Sequence, residues 1–290
     1  MSIQLITDSS ADLTPEMKRD WNIKIVPLYV HLGDEQFKSE ELTTDVLFDK
    51  IAEGSVFPSS AAAGPYEYYQ VFKDIPKEQP IIHFSIADGI SSAYNHAKMG
   101  RDMLLEKEPD RKITIINTES ATSGIILLIN ESIKKIEEGL SYHELTVFLK
   151  DRVKHIQTIF VLQSLDNLIR GGRLDKVRGT IAKTLNIKLL LHANAEGNSI
   201  EVLEKVRGSK KVTKRFINKI GELISETKNQ TLVFTQCQAK ERLNDLMGKV
   251  KEKYSFDNII TADTGPVISV YTGVDAVVMS FFSDKMRIDL

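Results

Sequence analysis

The apolar run PIIHFS at residues 80–85 stops at the small polar segment DGISS at residues 88–92, and this kind of junction occurs three times in the first half of the chain. The run IQLIT at 3–7 leads into DSS at 8–10, and KITII at 112–116 leads into NTES at 117–120. A helix-like pattern follows each polar segment. In an open α/β sheet, ligands bind beyond the carboxyl ends of the strands. The pattern therefore predicts a crevice rich in hydroxyl groups and helix N-termini, which suits the binding of an anion.

Strands and helices alternate through the first half, which predicts an α/β domain over residues 1–156 with a mostly parallel sheet and helices on both faces. Thr14-Pro15 and the capping box Ser141 to Glu144 mark two helix starts. The predicted strands are 3–7, 24–30, 80–85 and 112–117, and the predicted helices are 14–20, 43–53, 65–75, 90–106, 120–138 and 141–155.

The second half contains strands joined by short turns, which imply antiparallel pairing. Asn194, Gly197 and Asn198 supply the turn of one hairpin. The pattern predicts an α+β domain over 157–290 with a largely antiparallel sheet, and a ligand crevice between the two domains. The predicted strands are 158–163, 187–193, 199–206, 230–236, 257–263, 265–271 and 276–282, and the predicted helices are 209–227 and 238–253.

Charge is distributed unevenly along a chain whose formal net charge is −2. Between Ser164 and Arg215 there are twelve Lys or Arg side chains against five Asp or Glu, a local excess of seven positive charges. Such a basic face on an acidic body suggests an acidic partner or ligand group. The overall balance argues against a nucleic-acid-binding protein.

Several classes of protein are disfavoured by what the sequence lacks. The histidines show neither HxxxH nor HExxH spacing, and no GxSxG, Walker A or GxGxxG motif occurs. The single cysteine, Cys237, forms no CxxC pair and favours a reducing compartment. No signal peptide or membrane-spanning run is evident, so we expect a cytoplasmic protein with no metal site, no cofactor and no stable membrane insertion.

The candidate site segments each have two readings. Gly89, Ser91 and Ser92 are either an ordinary helix cap or an anion-binding turn. The small-residue loop 58–65 is either a surface turn or a second source of hydroxyl groups beside space for an apolar ligand. Arg173 follows a glycine-capped helix end and either pairs with a surface acid or reaches a carboxylate or phosphate. The basic run at 205–215 is either a solvated face or a docking surface.

Taken in order, these segments resemble the DegV family of bacterial fatty-acid-binding proteins. The resemblance covers nearly the whole chain. It rests on TDSSADL at 7–13, the serine pair at 59–60, GISSAY at 89–94, GGRL at 171–174, and GPVI at 265–268 with YTG at 271–273. Some members are the acyl-binding subunit that presents a fatty acid to a partner kinase, which phosphorylates the carboxylate.

The resemblance implies roles for particular residues. A hydroxyl of the Ser59–Ser60 pair and that of Ser91 would hold the carboxylate, with Arg173 near the acyl site and Arg207 in partner docking. The remaining members of the expected sets are Gly89, Ser92, Tyr271 and Thr272 for the ligand, and Lys210, Lys211 and Lys214 for the partner.

The chain departs from the family pattern at two segments. The family's Thr-Ser-Gln-Pro-Ser loop reads SSAAA at 59–63, with Ser59 in place of the usual threonine. Its His-Thr-Gly-Pro-Gly segment reads YTGVD at 271–275, so Tyr271 replaces a histidine near the head group.

The resemblance therefore implies a non-catalytic protein that binds a long-chain fatty acid and that would present it to a kinase subunit where such a partner exists. Two alternatives remain open. One is an enzyme acting on a small anion, using Asp8 or Asp263 with the serine crevice. The other is a regulatory or nucleic-acid-binding protein that uses the basic run at 205–215.

Overall fold

The computed structural model describes residues 2–54, 57–174 and 187–287 of the chain. The strands are β1 Gln4–Asp8, β2 Lys24–Val26, β3 Tyr29–Leu32, β4 Glu35–Lys38, β5 Ser59–Ala61, β6 Ile81–Ser85, β7 Ile113–Asn117, β8 Ile156–Val161, β9 Ile187–Ala193, β10 Ile200–Arg207, β11 Thr231–Cys237, β12 Asn258–Asp263 and β13 Ala276–Phe282. The helices are α1 Pro15–Asp20, α2 Thr44–Glu53, α3 Pro65–Lys73, α4 Ala93–Leu105, α5 Ser123–Glu137, α6 Tyr142–Arg152, α7 Asp166–Arg170, α8 Ser209–Leu223, α9 Lys240–Lys253 and α10 Pro266–Thr272.

The N-terminal half contains a parallel sheet in the order β2-β1-β6-β7. Every residue of β1 and β6 is buried, which explains why both read as continuous apolar runs rather than alternating ones. The polar segments after β1, β6 and β7 therefore lie at one edge of the sheet, as the sequence predicts.

The C-terminal half contains a sheet of six described strands in the order β10-β9-β8-β13-β11-β12. Its neighbouring strands pair antiparallel, except β11 and β12, which are parallel because α9 crosses between them. A parallel sheet with helices followed by a largely antiparallel sheet confirms the predicted fold class.

The predicted strand 24–30 is wrong as a single element. Pro27 separates β2 from β3, since proline has no N–H to donate to a sheet ladder. After that break, β3 joins β4 and β5 in a small antiparallel sheet of its own. The serine pair at 59–60, expected in a loop, thus lies on β5.

The predicted strand at 265–271 is also wrong, because this segment forms α10. Gly265 is its N-cap and Pro266 its first residue, a position where the missing N–H costs nothing. Most of the helix is buried, with Tyr271 only partly so. A short helix surrounded by protein shows no polar face, so its sequence looks like a buried strand.

Helix α5 joins the two halves. The segment from Ser123 to Ile129 is fully buried, and the helix contacts β6 of the parallel sheet as well as β8, β11 and β13 of the six-stranded sheet. The principal apolar core accordingly draws residues from both halves. Strand β8 begins at Ile156, but the division into domains at residue 156 stays a prediction.

Candidate functional site

A cavity of about 330 Å³ lies where the carboxyl ends of β6 and β7 face β5, α10 and the six-stranded sheet. Its size is within the range of about 300–1,000 Å³ that is typical of ligand pockets. Most of its wall is apolar, formed by Leu28, Ala61, Ala62, Ile86, Ala87, Ile90, Phe160, Leu168, Ile200, Val267, Ile268 and Val278 among others. The cavity therefore suits a ligand that is largely hydrocarbon.

Tyr271 connects the polar groups at one part of this wall. Its hydroxyl Oη lies 2.8 Å from Oγ of Ser60, although the two residues are 211 positions apart. The guanidinium carbon of Arg173 lies 4.7 Å from the centre of the Tyr271 ring, a cation–π contact. Two hydroxyl groups and a cation thus meet around the Tyr271 side chain in the cavity wall.

Arg173 is held by the backbone on either side of the site. Its Nε donates to the carbonyl of Ile90 over 3.2 Å, and its Nη1 donates to the carbonyl of Gly171 over 2.6 Å. Gly172 has a φ of 74°, the left-handed conformation of a helix C-cap, which turns the chain after α7. This turn brings Arg173 toward the segment before α4, so among the described residues Arg173 contacts the site rather than pairing with a surface acid.

The start of α4 provides a further hydroxyl group to the site. Ser91 Oγ accepts a hydrogen bond from the backbone N–H of Ala93 over 3.2 Å, whereas Ser92, at the N-cap position, makes no side-chain cap bond. Both serines line the cavity. Ser91 thus combines a partial capping role with exposure of its hydroxyl group to the cavity.

Charge within the cavity wall is asymmetric. Among the described lining residues, Arg173 is the one Arg or Lys and Glu119 the one Asp or Glu. Glu119 is paired through Oε2 with Nη1 of Arg287, at 2.9 Å. An anionic group would therefore be attracted to the Arg173 side, whereas the charge of Glu119 is offset by Arg287.

The structure brings together Ser60, Ser91, Ser92, Arg173, Tyr271 and Thr272 around the cavity. It does not bring in Ser59 or Gly89. Ser59 is exposed and precedes Ser60 on β5, where successive side chains point to opposite faces. A Cβ on Gly89 would lie 1.7 Å from the carbonyl oxygen of Asn198, so this glycine permits close packing against the β9–β10 turn.

Several lining residues are not singled out by the sequence pattern, among them His96, Glu119, Ser120, Thr122, Thr158 and Ser199. Glu119 and Ser120 belong to the polar segment after β7. The sequence pattern predicts that this segment borders the crevice, but it does not indicate which of its residues do so. Thr158 lies inside the apolar strand β8, and no local pattern marks it. Its position becomes apparent only when β8 pairs with β13.

The expected docking residues lie on a different surface. Arg207 ends β10, and Lys210, Lys211 and Lys214 lie on the first turns of α8; all four side chains are exposed. By contrast, the neighbouring Arg215 donates from Nε and Nη2 to Glu204, at 2.7 and 2.8 Å. Lys176, Arg178 and Lys183, which contribute to the local positive excess, fall outside the described residues.

The two acids of the enzyme alternative do not line this cavity. Asp8 is fully buried and accepts from the N–H groups of Ser10 and Ile86, and burial raises its pKa. Asp8 and Asp263 instead border a separate pocket of about 260 Å³. The serines and these acids are therefore not arranged around one substrate position.

Clusters of metal-ligating side chains and helices able to span a membrane were both sought in the part of the chain that the structure describes. The described residues contain no cluster of three or more His, Cys, Asp or Glu side chains that could hold a metal ion. Within the same ranges, every helix is too short or too polar to cross a membrane.

Comparison with known proteins places this geometry in context. The model of the DegV family, whose description is that of an uncharacterised protein family, matches residues 2–284. The DegV domain-containing protein YteA of Lactococcus lactis is 28% identical over 292 residues, which cover 99% of this chain and 100% of the relative.

Two solved structures are similar over almost their whole length. A DegV family protein of Ruminococcus gnavus, solved with vaccenic acid, has a TM-score of 0.89 and 25% identity, covering 97% of this chain and 99% of its own. The fatty acid kinase (Fak) B3 protein of Streptococcus pneumoniae, loaded with linoleic acid, has a TM-score of 0.86 and 26% identity, covering 98% of this chain and 100% of its own.

Proposed function

This chain belongs to the DegV family, and from that premise we propose that it binds a long-chain fatty acid in the cavity beside Arg173. The observation that carries the proposal is that Ser60 and Arg173 both contact Tyr271 in the wall of a mainly apolar cavity. Hydroxyl donors and a guanidinium group suit a carboxylate, and the apolar wall suits an acyl chain. The two similar structures that contain fatty acids support the same assignment.

The acyl chain and the head group contribute differently to binding. Burial of roughly fourteen methylene groups contributes about 11 kcal/mol before the entropic cost of association, at about 0.8 kcal/mol each. Each hydrogen bond to a carboxylate contributes about 1.5–3 kcal/mol. The chain therefore sets the affinity, and Ser60, Ser91, Tyr271 and Arg173 set the position of the carboxylate.

The direct test is to purify the protein from a bacterial host, extract it with organic solvent and analyse the extract by mass spectrometry. We expect a fatty acid in near-stoichiometric amount. An extract that is empty, and that remains empty after the protein is incubated with free fatty acids, would contradict the proposal. A small-anion enzyme would then become the leading alternative.

We also propose that this chain acts without catalysing a reaction itself, as the subunit that presents a fatty acid to a kinase. Similarity to the Fak B3 protein supports this role. We assign partner docking to the exposed cations Arg207, Lys210, Lys211 and Lys214, for which the structure records no acidic partner within the described ranges. These cations suit an acidic surface on the kinase.

A cytoplasmic location agrees with the single cysteine, Cys237, which is buried and free.

Charge reversal separates docking from lipid binding. In the double variant Lys210→Glu with Lys214→Glu we expect fatty acid binding to be unchanged. We expect the kinase subunit no longer to phosphorylate the bound fatty acid. The matched control is Lys77→Glu with Lys112→Glu, which makes the same charge change at exposed lysines of the N-terminal half. Equal phosphorylation in both double variants would contradict the assigned docking surface.

A further inference from the structure

A chain of buried hydroxyl groups leads from the cavity wall into the protein core. Ser120 Oγ lies 2.7 Å from Thr158 Oγ1, which lies 2.9 Å from Ser280 Oγ, which in turn lies 2.7 Å from Ser123 Oγ. Ser120 and Thr158 line the cavity, whereas Ser123 and Ser280 lie behind them with no exposed surface. Ser120 and Thr158 in the cavity wall are thus connected to the core by a continuous hydrogen-bond network.

This network has more acceptors than donors. A hydroxyl group has a single proton to donate but two lone pairs that accept. The contacts along the chain use nearly all of the protons, and the remaining contact, from Ser120 Oγ to the carbonyl of Ala121, is long at 3.4 Å. Lone pairs therefore remain unfilled at Ser120 and Thr158, the two members that reach the cavity.

Glu119 adds further acceptors beside this network. Its Oε2 accepts from Arg287, whose guanidinium also donates to the backbone carbonyls of Ile156 and Val153. Glu119 has a left-handed backbone conformation, with a φ of 51°, and its ion pair with Arg287 holds its carboxylate in place. Glu119, Ser120 and Thr158 together form what we call the polar wall, a part of the lining that offers mainly acceptors.

An unsubstituted acyl chain packed against the polar wall offers no donor to the spare lone pairs of Ser120, Thr158 and Glu119, although each of these side chains already has a partner within the protein. The carboxylate of a fatty acid cannot fill these lone pairs, because it is itself an acceptor. A hydroxyl group on the acyl chain can fill one of them, since it donates a proton. The carboxylate at Arg173 and a hydroxyl at the polar wall then satisfy both polar parts of the cavity.

We propose that the polar wall makes this protein selective for long-chain fatty acids that carry a hydroxyl group on the chain. This inference rests on the proposed fatty acid function and names the ligand class within it. Ser120 and Thr158 are the residues that determine this specificity, and Glu119 adds a further acceptor beside them.

The test is a competition experiment in which ligands displace a fluorescent fatty acid from the whole protein. Octadecanoic acid is compared with a series of its monohydroxy isomers, in which the hydroxyl is moved along the chain. We expect at least one isomer to bind about fivefold to tenfold more tightly than octadecanoic acid, as expected for one buried hydrogen bond. This series requires no variant and so does not depend on any variant folding.

The double variant Ser120→Ala with Thr158→Val then assigns the preference to the polar wall. We expect it to bind octadecanoic acid at least as well as the native protein does and to lose the preference for the hydroxylated isomer. The control Thr261→Val makes the same change at an exposed residue of β12 and keeps the preference.

Three outcomes are distinguishable. Binding of octadecanoic acid without preference for any isomer overturns this inference and leaves the fatty acid function standing. A preference that survives in the double variant also overturns it, because the selectivity would then arise elsewhere. Failure of the native protein to bind any ligand in the series overturns the proposed function itself.

Discussion

Tyr271 presents two separable features to the cavity, a ring that stacks beneath Arg173 and a hydroxyl group that contacts Ser60. Tyr271→Phe removes only the hydroxyl and keeps the ring. We expect the affinity for a fatty acid to fall roughly tenfold or more, as for loss of one hydrogen bond to a carboxylate. Displacement of a fluorescent fatty acid measures the change. Tyr271→Ala, which also removes the contact with Arg173, should cost more; equal losses in the two variants would contradict a role for the ring.

The serine pair on β5 gives a second comparison at the level of single residues. Ser60 lines the cavity and Ser59 points away from it. We expect Ser60→Ala to lower the affinity for a fatty acid by roughly tenfold and Ser59→Ala to leave it unchanged. Isothermal titration of both variants with the same ligand decides between them. A loss of affinity in Ser59→Ala alone would reverse the assignment.

At the scale of elements, the turn between β9 and β10 is packed against the segment that precedes α4. Gly89 allows this contact, since a Cβ there would lie 1.7 Å from the carbonyl oxygen of Asn198. We expect Gly89→Ala to lower the free energy of unfolding by about 1–3 kcal/mol, as is typical of overpacking. Urea unfolding monitored by circular dichroism measures the change.

The control for this variant is a glycine that has space around it. Gly248 lies inside α9, and a Cβ added there would meet no atom within 4 Å, so Gly248→Ala should stabilise the protein by about 0.5–1 kcal/mol. If both substitutions shift the unfolding free energy in the same direction, the close contact at Gly89 does not determine its effect.

Elements also show where local patterns lose information. The sequence of α10 looks like a strand because nearly every side chain is buried. In contrast, α8 is recognised from its sequence because its buried residues are Val212, Phe216, Ile217 and Ile220 and most of its other residues are polar. The segment 24–30 is divided into β2 and β3 at Pro27. The sheet that each of these strands joins is set by its pairing partners, which lie elsewhere in the chain.

At the scale of the whole molecule, Asp12 links the N-terminal sheet to α10. Its Oδ1 accepts from the N–H of Gly265 over 2.9 Å, and burial raises its pKa to about 8, with nearby Asp8 acting in the same direction and Lys18 opposing it. Between its unfolded value of 3.8 and about 8, the folded protein therefore holds a proton that the unfolded chain has lost. Stability consequently falls as the pH rises through this window, by up to about 1.4 kcal/mol per pH unit.

We expect Asp12→Asn, which mimics the protonated acid, to reduce this fall. The measurement is the midpoint of urea unfolding at several pH values between about 7 and 8. Burial lowers the pKa of His83 to about 3, so this histidine is neutral in the folded protein throughout that range. Because the range also lies above the pKa of an unfolded histidine, His83 adds little to the dependence of stability on pH. Asp110→Asn, at an exposed position, controls for the loss of a carboxylate. A slope in Asp12→Asn equal to that of the native protein would contradict this account.

The sequence by itself determined the alternation of strands and helices, the class of each half and the segments that surround the cavity. These features follow from local periodicity, from caps and turns, and from the ordered segments that resemble the DegV family. Only the tertiary structure decided which residue of each segment lines the cavity. Ser60 rather than Ser59 lines the cavity because β5 pairs with β3 in one register, and Tyr271 meets Ser60 because α10 packs beside that sheet.

The polar wall depends on tertiary structure in the same way. Ser120, Thr158 and Ser280 lie on three separate segments, and their hydroxyl groups meet only when α5 and its preceding loop pack against β8 and β13. Contacts between residues far apart in the chain are set by packing of whole elements, which no local pattern encodes.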